Sequence, residues 1–268
     1  MKTSKELKAM AKQRMAPKMT SLVGAVMIFV ALLIGLSFVI SFVYTSYIIS
    51  EGAFASEEAL MNYLNEMLTK KATLKDLAVS YGIDLFIGAL LSTISVGLSY
   101  VCLKAARGEE FKAAHIFKVY KMNPDRIIII FFVTYLAKLL FTIPATLYSY
   151  AFPVNDAFSV HMFISFFLEI VGYVGQIAVT VMLSQSFFIY LDNPEQNSII
   201  TISKSFEIMK YHFGKYIYLM LSFIPWYFVI FVTCGVASIW VLPFINITYA
   251  LFYMNVRGEL GTRIDAVV

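Results

Sequence analysis

The sequence predicts an all-α polytopic membrane protein: six transmembrane helices forming three hairpins, each preceded by a cytoplasmic amphipathic interfacial helix. Three observations carry this. Hydrophobic residues are 60% of the 268 positions, charged residues only 14%, and mean hydropathy is +0.77; soluble domains carry roughly a quarter charged residues. The apolar residues arrive in continuous runs longer than the ~18 that mark a bilayer span. Those runs are rich in Leu, Ile, Phe and Met, which excludes the ~10-residue alternation of a membrane barrel. Residues 1–268 read as a single integral membrane domain.

Residues 1–18 hold Lys2, Lys5, Lys8, Lys12, Arg14 and Lys18 against Glu6 alone. Leu7, Met10, Ala11 and Met15 recur at helical spacing, so a basic amphipathic helix on an anionic leaflet is expected. A solvated tail that only fixes orientation is the alternative. Span 1 covers 20–49, about 45 Å of helix at ~1.5 Å per residue. It is far longer than the ~7–15-residue core of a signal peptide, so the small-residue motif Ala53-Phe54-Ala55 is not read as a cleavage site.

Residues 51–80 form the longest loop, where Leu60, Tyr63, Leu64, Met67 and Leu68 share one face of a short amphipathic helix. Span 2 covers 81–103. Asp84 falls in its first turn, where it serves the helix N-terminus, and Gly88, Ser92, Ser95 and Ser99 supply small residues for close helix contact. A strongly basic stretch, 104–126, leads to span 3 (127–150) and then, after the polar bend Pro153-Val154-Asn155-Asp156, to span 4 (158–191). Ile199, Ile202, Phe206, Met209 and Phe213, spaced 3, 4, 3 and 4, form another amphipathic helix. The apolar run 216–255 is too long for one span and breaks at Cys234–Ser238 into spans of 216–233 and 239–255, or a re-entrant pair. Cys102 and Cys234 fall at opposite membrane sides and cannot bridge within one chain.

Lys and Arg number six before span 1, six before span 3, three before span 5 and two in the tail (Arg257, Arg263), against three in the opposite loops. The positive-inside bias therefore puts both termini in the cytoplasm of a multi-pass cell-membrane protein. Lys118, Lys121, Arg126, Lys204, Lys210 and Lys215 are expected to contact anionic lipid headgroups. The segments Phe117-Lys118-Val119-Tyr120-Lys121 and Phe206-Glu207-Ile208-Met209-Lys210 each have a basic residue nine positions after the Phe (Arg126, Lys215) and then a span. This internal repeat underlies the three-unit architecture.

Lys138 and Glu169 are the ionisable residues deep inside spans 3 and 4. Counted outward from a bend centred on residues 153/154, each is about fifteen residues away, so two antiparallel helices should hold them at one depth near the bilayer centre. A charge there costs ~2.5–3.5 kcal/mol or more, so the two should pair or face a wet cavity. Thr142, Gln176 and Asn246 are further polar candidates for such a cavity.

Ser205-Phe206-x-x-Met209-Lys210, Phe213-x-Lys215-Tyr216, Leu221-Ser222-Phe223-Ile224-Pro225-Trp226, Gly235, Leu242-Pro243-Phe244 and Phe252-Tyr253 resemble domain of unknown function 975. That is a family of six-span integral membrane proteins found mainly in Gram-positive bacteria. The chain carries Pro-Phe at 243–244 where Pro-Tyr is usual. The resemblance implies fold and location, and it brings no catalytic residues or substrate.

No HExxH, GxSxG, Walker-type glycine loop or paired-His motif occurs. Glu109-Glu110 near His115 reads as a solvated loop face. No enzyme activity, cofactor or metal is expected, and no nucleic-acid partner. The expected function is a non-enzymatic envelope protein that accommodates or moves a lipid or amphiphile or supports a partner membrane complex. The alternative is a small transporter or channel subunit that uses the Lys138/Glu169 pair.

Overall fold

The computed structural model describes residues 2–50, 55–69, 73–152 and 159–262. The expected bend at Pro153–Asp156, residues 53–54 of the small-residue motif, Lys70, Lys71 and Arg263 lie outside them. Helix α1 (Ser4–Met15) runs through a 3₁₀ turn at 16–18 into α2 (Met19–Ser50), followed by α3 (Glu57–Thr69) and α4 (Leu74–Arg107). A 3₁₀ helix (Ala113–Lys121) precedes α5 (Pro124–Ala151), α6 (Val160–Met182), α7 (Ser186–Asp192) and α8 (Ser198–Lys210). Helices α9 (Phe213–Leu221), α10 (Ile224–Val232), α11 (Ser238–Val256) and α12 (Glu259–Thr262) complete the chain. No strand occurs among the described residues, and six helical stretches are long and apolar enough to cross a bilayer. This is the architecture of a multi-pass membrane protein.

Local chemistry sets several boundaries that apolar patterning placed elsewhere. Span 2 begins at Leu74, not 81, because Thr73 and Asp76 form a reciprocal capping box: Asp76 N–H donates to Thr73 Oγ1 at 3.2 Å and Thr73 N–H to Asp76 Oδ2 at 2.8 Å. Asp84 consequently sits in the third turn and caps nothing. Span 4 is interrupted at 183–185. There Ser186 N–H bonds the Leu183 carbonyl, leaving the Met182 carbonyl outside the ladder, and the Ser205 hydroxyl of α8 donates to it at 2.9 Å.

The segment before span 3 is a 3₁₀ helix, with three residues per turn. That period stacks the buried Ile116 and Val119 on one face. Gly97 of α4 makes room for it: a Cβ there would run into the Ile116 carbonyl oxygen.

The core is built on α11 and the second half of α4. Two thirds of the most apolar window of α11 is buried, against 6% for the first span. Val241, Ile247, Ala250 and Leu251 of α11 pack in one cluster with Val96, Val101 and Cys102 of α4 and Leu22, Ala25 and Val26 of α2. This packing lies toward the end that carries α1, α8 and α12, hereafter the basic end. Toward the opposite end α2 is bare on every side: Ile34, Phe38 and Phe42 are 65–71% exposed. A helix apolar all round and uncovered by protein is one that lipid chains cover.

Candidate functional site: a polar cavity between α4, α5 and α6

Helices α5 and α6 share the most extensive helix contact in the protein. Tyr148 hydrogen-bonds His161 at 3.0 Å, and farther in, Phe141 meets Gly172 and Gly175, so the two run antiparallel. The approach is close: a Cβ on Gly172 would lie 2.8 Å from the Phe141 carbonyl oxygen. Small residues permit such contact between membrane helices, where no hydrophobic force draws them together.

This register separates the two central charges. With Phe141 opposite 172–175, Lys138 stands opposite residues 175–178, and Glu169 lies ~9–14 Å nearer the opposite end at 1.5 Å per residue. No nitrogen–oxygen contact within 4.0 Å joins them, and the ion pairs of the described residues lie elsewhere. The expected midplane pair is therefore not formed. Counting from a bend at 153/154 misplaced the register, since α5 ends at Ala151 and α6 starts at Val160, moving the midpoint toward α6.

Glu169 instead faces a cavity of about 850 Å³. Its walls are the start of α4, the last turns of α5 and the middle of α6. The lining on α5 runs from Thr142 to Ala151, which spans ~14 Å along the helix. Of the expected polar residues, Thr142 and Gln176 line it with Glu169. Lys138 does not, although it precedes Thr142 by one turn on α5. Asn246 does not either: its amide donates to the Leu242 carbonyl of its own helix at 2.9 Å. Sequence reasoning missed Tyr81, Thr146, Ser149 and Tyr173. The stripe Thr142, Thr146, Ser149, spaced 4 and 3 in an apolar helix, was the signal for two of them.

The wall is rich in acceptors. Thr142 Oγ1–H donates to the Leu139 carbonyl and Thr146 Oγ1–H to the Thr142 carbonyl, each at 3.2 Å. With the Thr146 hydrogen so used, Tyr81 is the donor in its 3.0 Å hydroxyl–hydroxyl bond to Thr146. Three hydroxyls that line the cavity with Glu169 thus spend their hydrogens inside the protein. No Lys, Arg or His is among the described lining residues. Among the described residues no three His, Cys, Asp or Glu converge as metal ligands.

The basic end holds a second polar cluster that sequence reasoning did not find. Asp192 at the end of α7, 10% exposed, accepts from Arg107 of α4, Arg257 and the Tyr253 hydroxyl. Glu259 bridges both arginines at 3.4 Å. Burial alone would lower the Arg257 pKa; Tyr253, Asp192 and Glu259 outweigh it and hold the guanidinium above its ordinary range. Three segments distant in sequence meet here, the ends of α4 and α7 and the stretch 253–259, which no periodicity signals.

Lys118, Lys121, Lys204, Lys210 and Lys215 are exposed on the 3₁₀ helix, α8 and α9. Lys204 Nζ also reaches Gln196 Oε1 at 2.7 Å. Arg126 is half-buried, 3.9 Å from Glu195 through one nitrogen, while Nη1 has no partner.

The N-terminal helix is neither laid clear on a leaflet nor a tail. It packs on α11, α4 and α9, burying Leu7 and Ala11. Lys8 Nζ donates to the Ser222 carbonyl at 2.7 Å and lies 4.3 Å from the Phe223 ring. That carbonyl is free because the helix breaks before Pro225, where Trp226 N–H turns to Phe223 instead.

A family model described as Protein of unknown function (DUF975) matches residues 1–259. No curated protein and no solved structure matches the chain.

Proposed function

The chain belongs to the DUF975 family, and from that premise we propose that it is a non-enzymatic cell-membrane protein that accommodates an amphiphile in the cavity between α4, α5 and α6. The single observation that supports this most is the cavity itself, with its carboxylate and hydroxyls at membrane depth. Glu169 is the tenth residue of α6, ~14 Å along a helix that crosses ~30 Å of hydrocarbon. An ionisable group at that depth marks a functional site by default, and about 850 Å³ falls within the ~300–1,000 Å³ of small-molecule sites.

In this reading the three units are hairpins led by interfacial helices, and both termini are cytoplasmic. The exposed lysines 118, 121, 204 and 210 then rest on anionic headgroups, worth ~1 kcal/mol each near the surface. Support of a partner membrane protein is compatible with the same surface. The alternative of a small transporter or channel subunit that uses Lys138 and Glu169 draws less support, because Glu169 lines the cavity and Lys138 does not.

The test uses the full chain in nanodiscs and the neutral fluorescent amphiphile N-phenyl-1-naphthylamine. Ser149 is exposed and lines the cavity, so Ser149→Trp fills space without displacing a packed side chain. Binding to the parent that Ser149→Trp abolishes is expected. No binding to the parent, or unchanged binding in the variant, overturns the reading. A quadruple Lys→Gln variant at 118, 121, 204 and 210 should lose its preference for anionic over zwitterionic liposomes.

A further inference from the structure

A cavity that takes an amphiphile must also suit the charge of its headgroup, and here the wall is one-sided. The only carboxyl group on the described lining is Glu169, and among the described residues no basic side chain lies within ion-pair distance of it. Lys138, the nearest basic residue in sequence on the facing helix, stands about two turns away along the axis. The hydrogens of Thr142, Thr146 and Tyr81 are committed within the protein. What lines the cavity is therefore one carboxyl group, hydroxyls, the Gln176 amide and tyrosines 81, 150 and 173, with no basic side chain among the described lining residues.

We propose that this cavity is a site for a monovalent organic cation with an apolar body, its charged head beside Glu169 and its apolar part against the tyrosines and the α5 wall. The inference rests on the amphiphile reading above and adds the sign of the charge. An unpaired carboxylate at membrane depth is expensive, so a ligand that supplies the counter-charge gains what the protein alone lacks. The electron-rich ring faces attract ammonium and phosphonium groups in the same place. An anionic or phosphate-bearing head would meet the Glu169 carboxyl group with no basic side chain on the described lining to balance it. One carboxylate balances one positive charge, which favours a monovalent head over a polyamine.

Two probes of matched size and opposite charge separate the possibilities: tetraphenylphosphonium and tetraphenylborate, each titrated into the full chain in zwitterionic nanodiscs. Tetraphenylphosphonium is expected to bind and to displace N-phenyl-1-naphthylamine, with tetraphenylborate at least about tenfold weaker. Glu169→Gln should weaken the cation by about tenfold or more relative to the neutral probe titrated into the same variant. Retained binding of the neutral probe also shows that this variant folds. Glu169→Asp, which keeps the charge, should retain most of the affinity for the cation. Equal binding of both ions, or a cation affinity indifferent to Glu169→Gln, overturns the cation inference and leaves the amphiphile reading standing. Failure of the neutral probe as well removes both.

Discussion

Arg107 holds Asp192 through two parallel hydrogen bonds, Nη1 to Oδ1 at 2.7 Å and Nη2 to Oδ2 at 3.0 Å. The side chains are 20% and 10% exposed, so the pair is largely desolvated, and it ties the end of α4 to the end of α7. Arg257 and Tyr253 bring the end of α11 to the same carboxylate.

Asp192→Asn should leave two guanidinium groups facing one another with Glu259 as their remaining acid. Breaking a buried pair costs ~3–5 kcal/mol, and the residual acid should reduce that to about 2–3 kcal/mol. A lowered thermal midpoint in detergent measures it. A variant that melts with the parent would show the cluster to be inert.

Gly97→Val should be damaging on a similar scale. The Ile116 carbonyl occupies the space a side chain needs, and backbone cannot rotate aside as a flexible side chain can. A loss of about 2 kcal/mol is expected from overpacking, with Gly97→Ala smaller and of the same sign. Both are read by thermal unfolding.

Lys138→Met and Glu169→Gln should act independently. Residues farther apart than ~7–10 Å add within ~0.5 kcal/mol, and the α5–α6 register places these two at about that distance or beyond. A double-mutant cycle on unfolding measures the coupling. A coupling above ~1 kcal/mol would restore the ion pair that the sequence suggested.

Lys8→Met removes the cap on the Ser222 carbonyl and the contact with Phe223. A loss of about 1 kcal/mol is expected from the two together, with faster hydrogen exchange in α1. The effect should persist in lipid without net charge. Dependence on anionic lipid would instead place α1 on the leaflet.

Much of the architecture was legible because it depends on composition along one segment. Apolar length alone located six spans, and the 3–4 spacing of Ile199, Ile202, Phe206, Met209 and Phe213 marked the helix α8, although Phe213 falls in α9 and Ile199 and Phe206 are exposed. Thr142, Glu169 and Gln176 were legible as candidates because a polar residue inside an apolar helix stands out in one dimension. The residues that share the cavity with Glu169 were not all legible. Tyr81 lies in a span that looks ordinary, and it reaches the cavity only because α4 begins at Thr73 and packs its first turns against Thr146.

By itself, the sequence determined the class of object, the number of crossing helices and the asymmetry of charge between their two ends. These follow from how much apolar surface each segment must hide and how strongly charge is kept from hydrocarbon. Only the tertiary structure decided that Lys138 and Glu169 stand apart, that Lys8 caps a broken helix, and that Arg107, Asp192 and Arg257 meet. Each of these depends on the axial offset between neighbouring helices. That offset is set by where helices stop and by which small residue admits a neighbour, as Gly172 admits Phe141, and residue counting along one chain does not contain it.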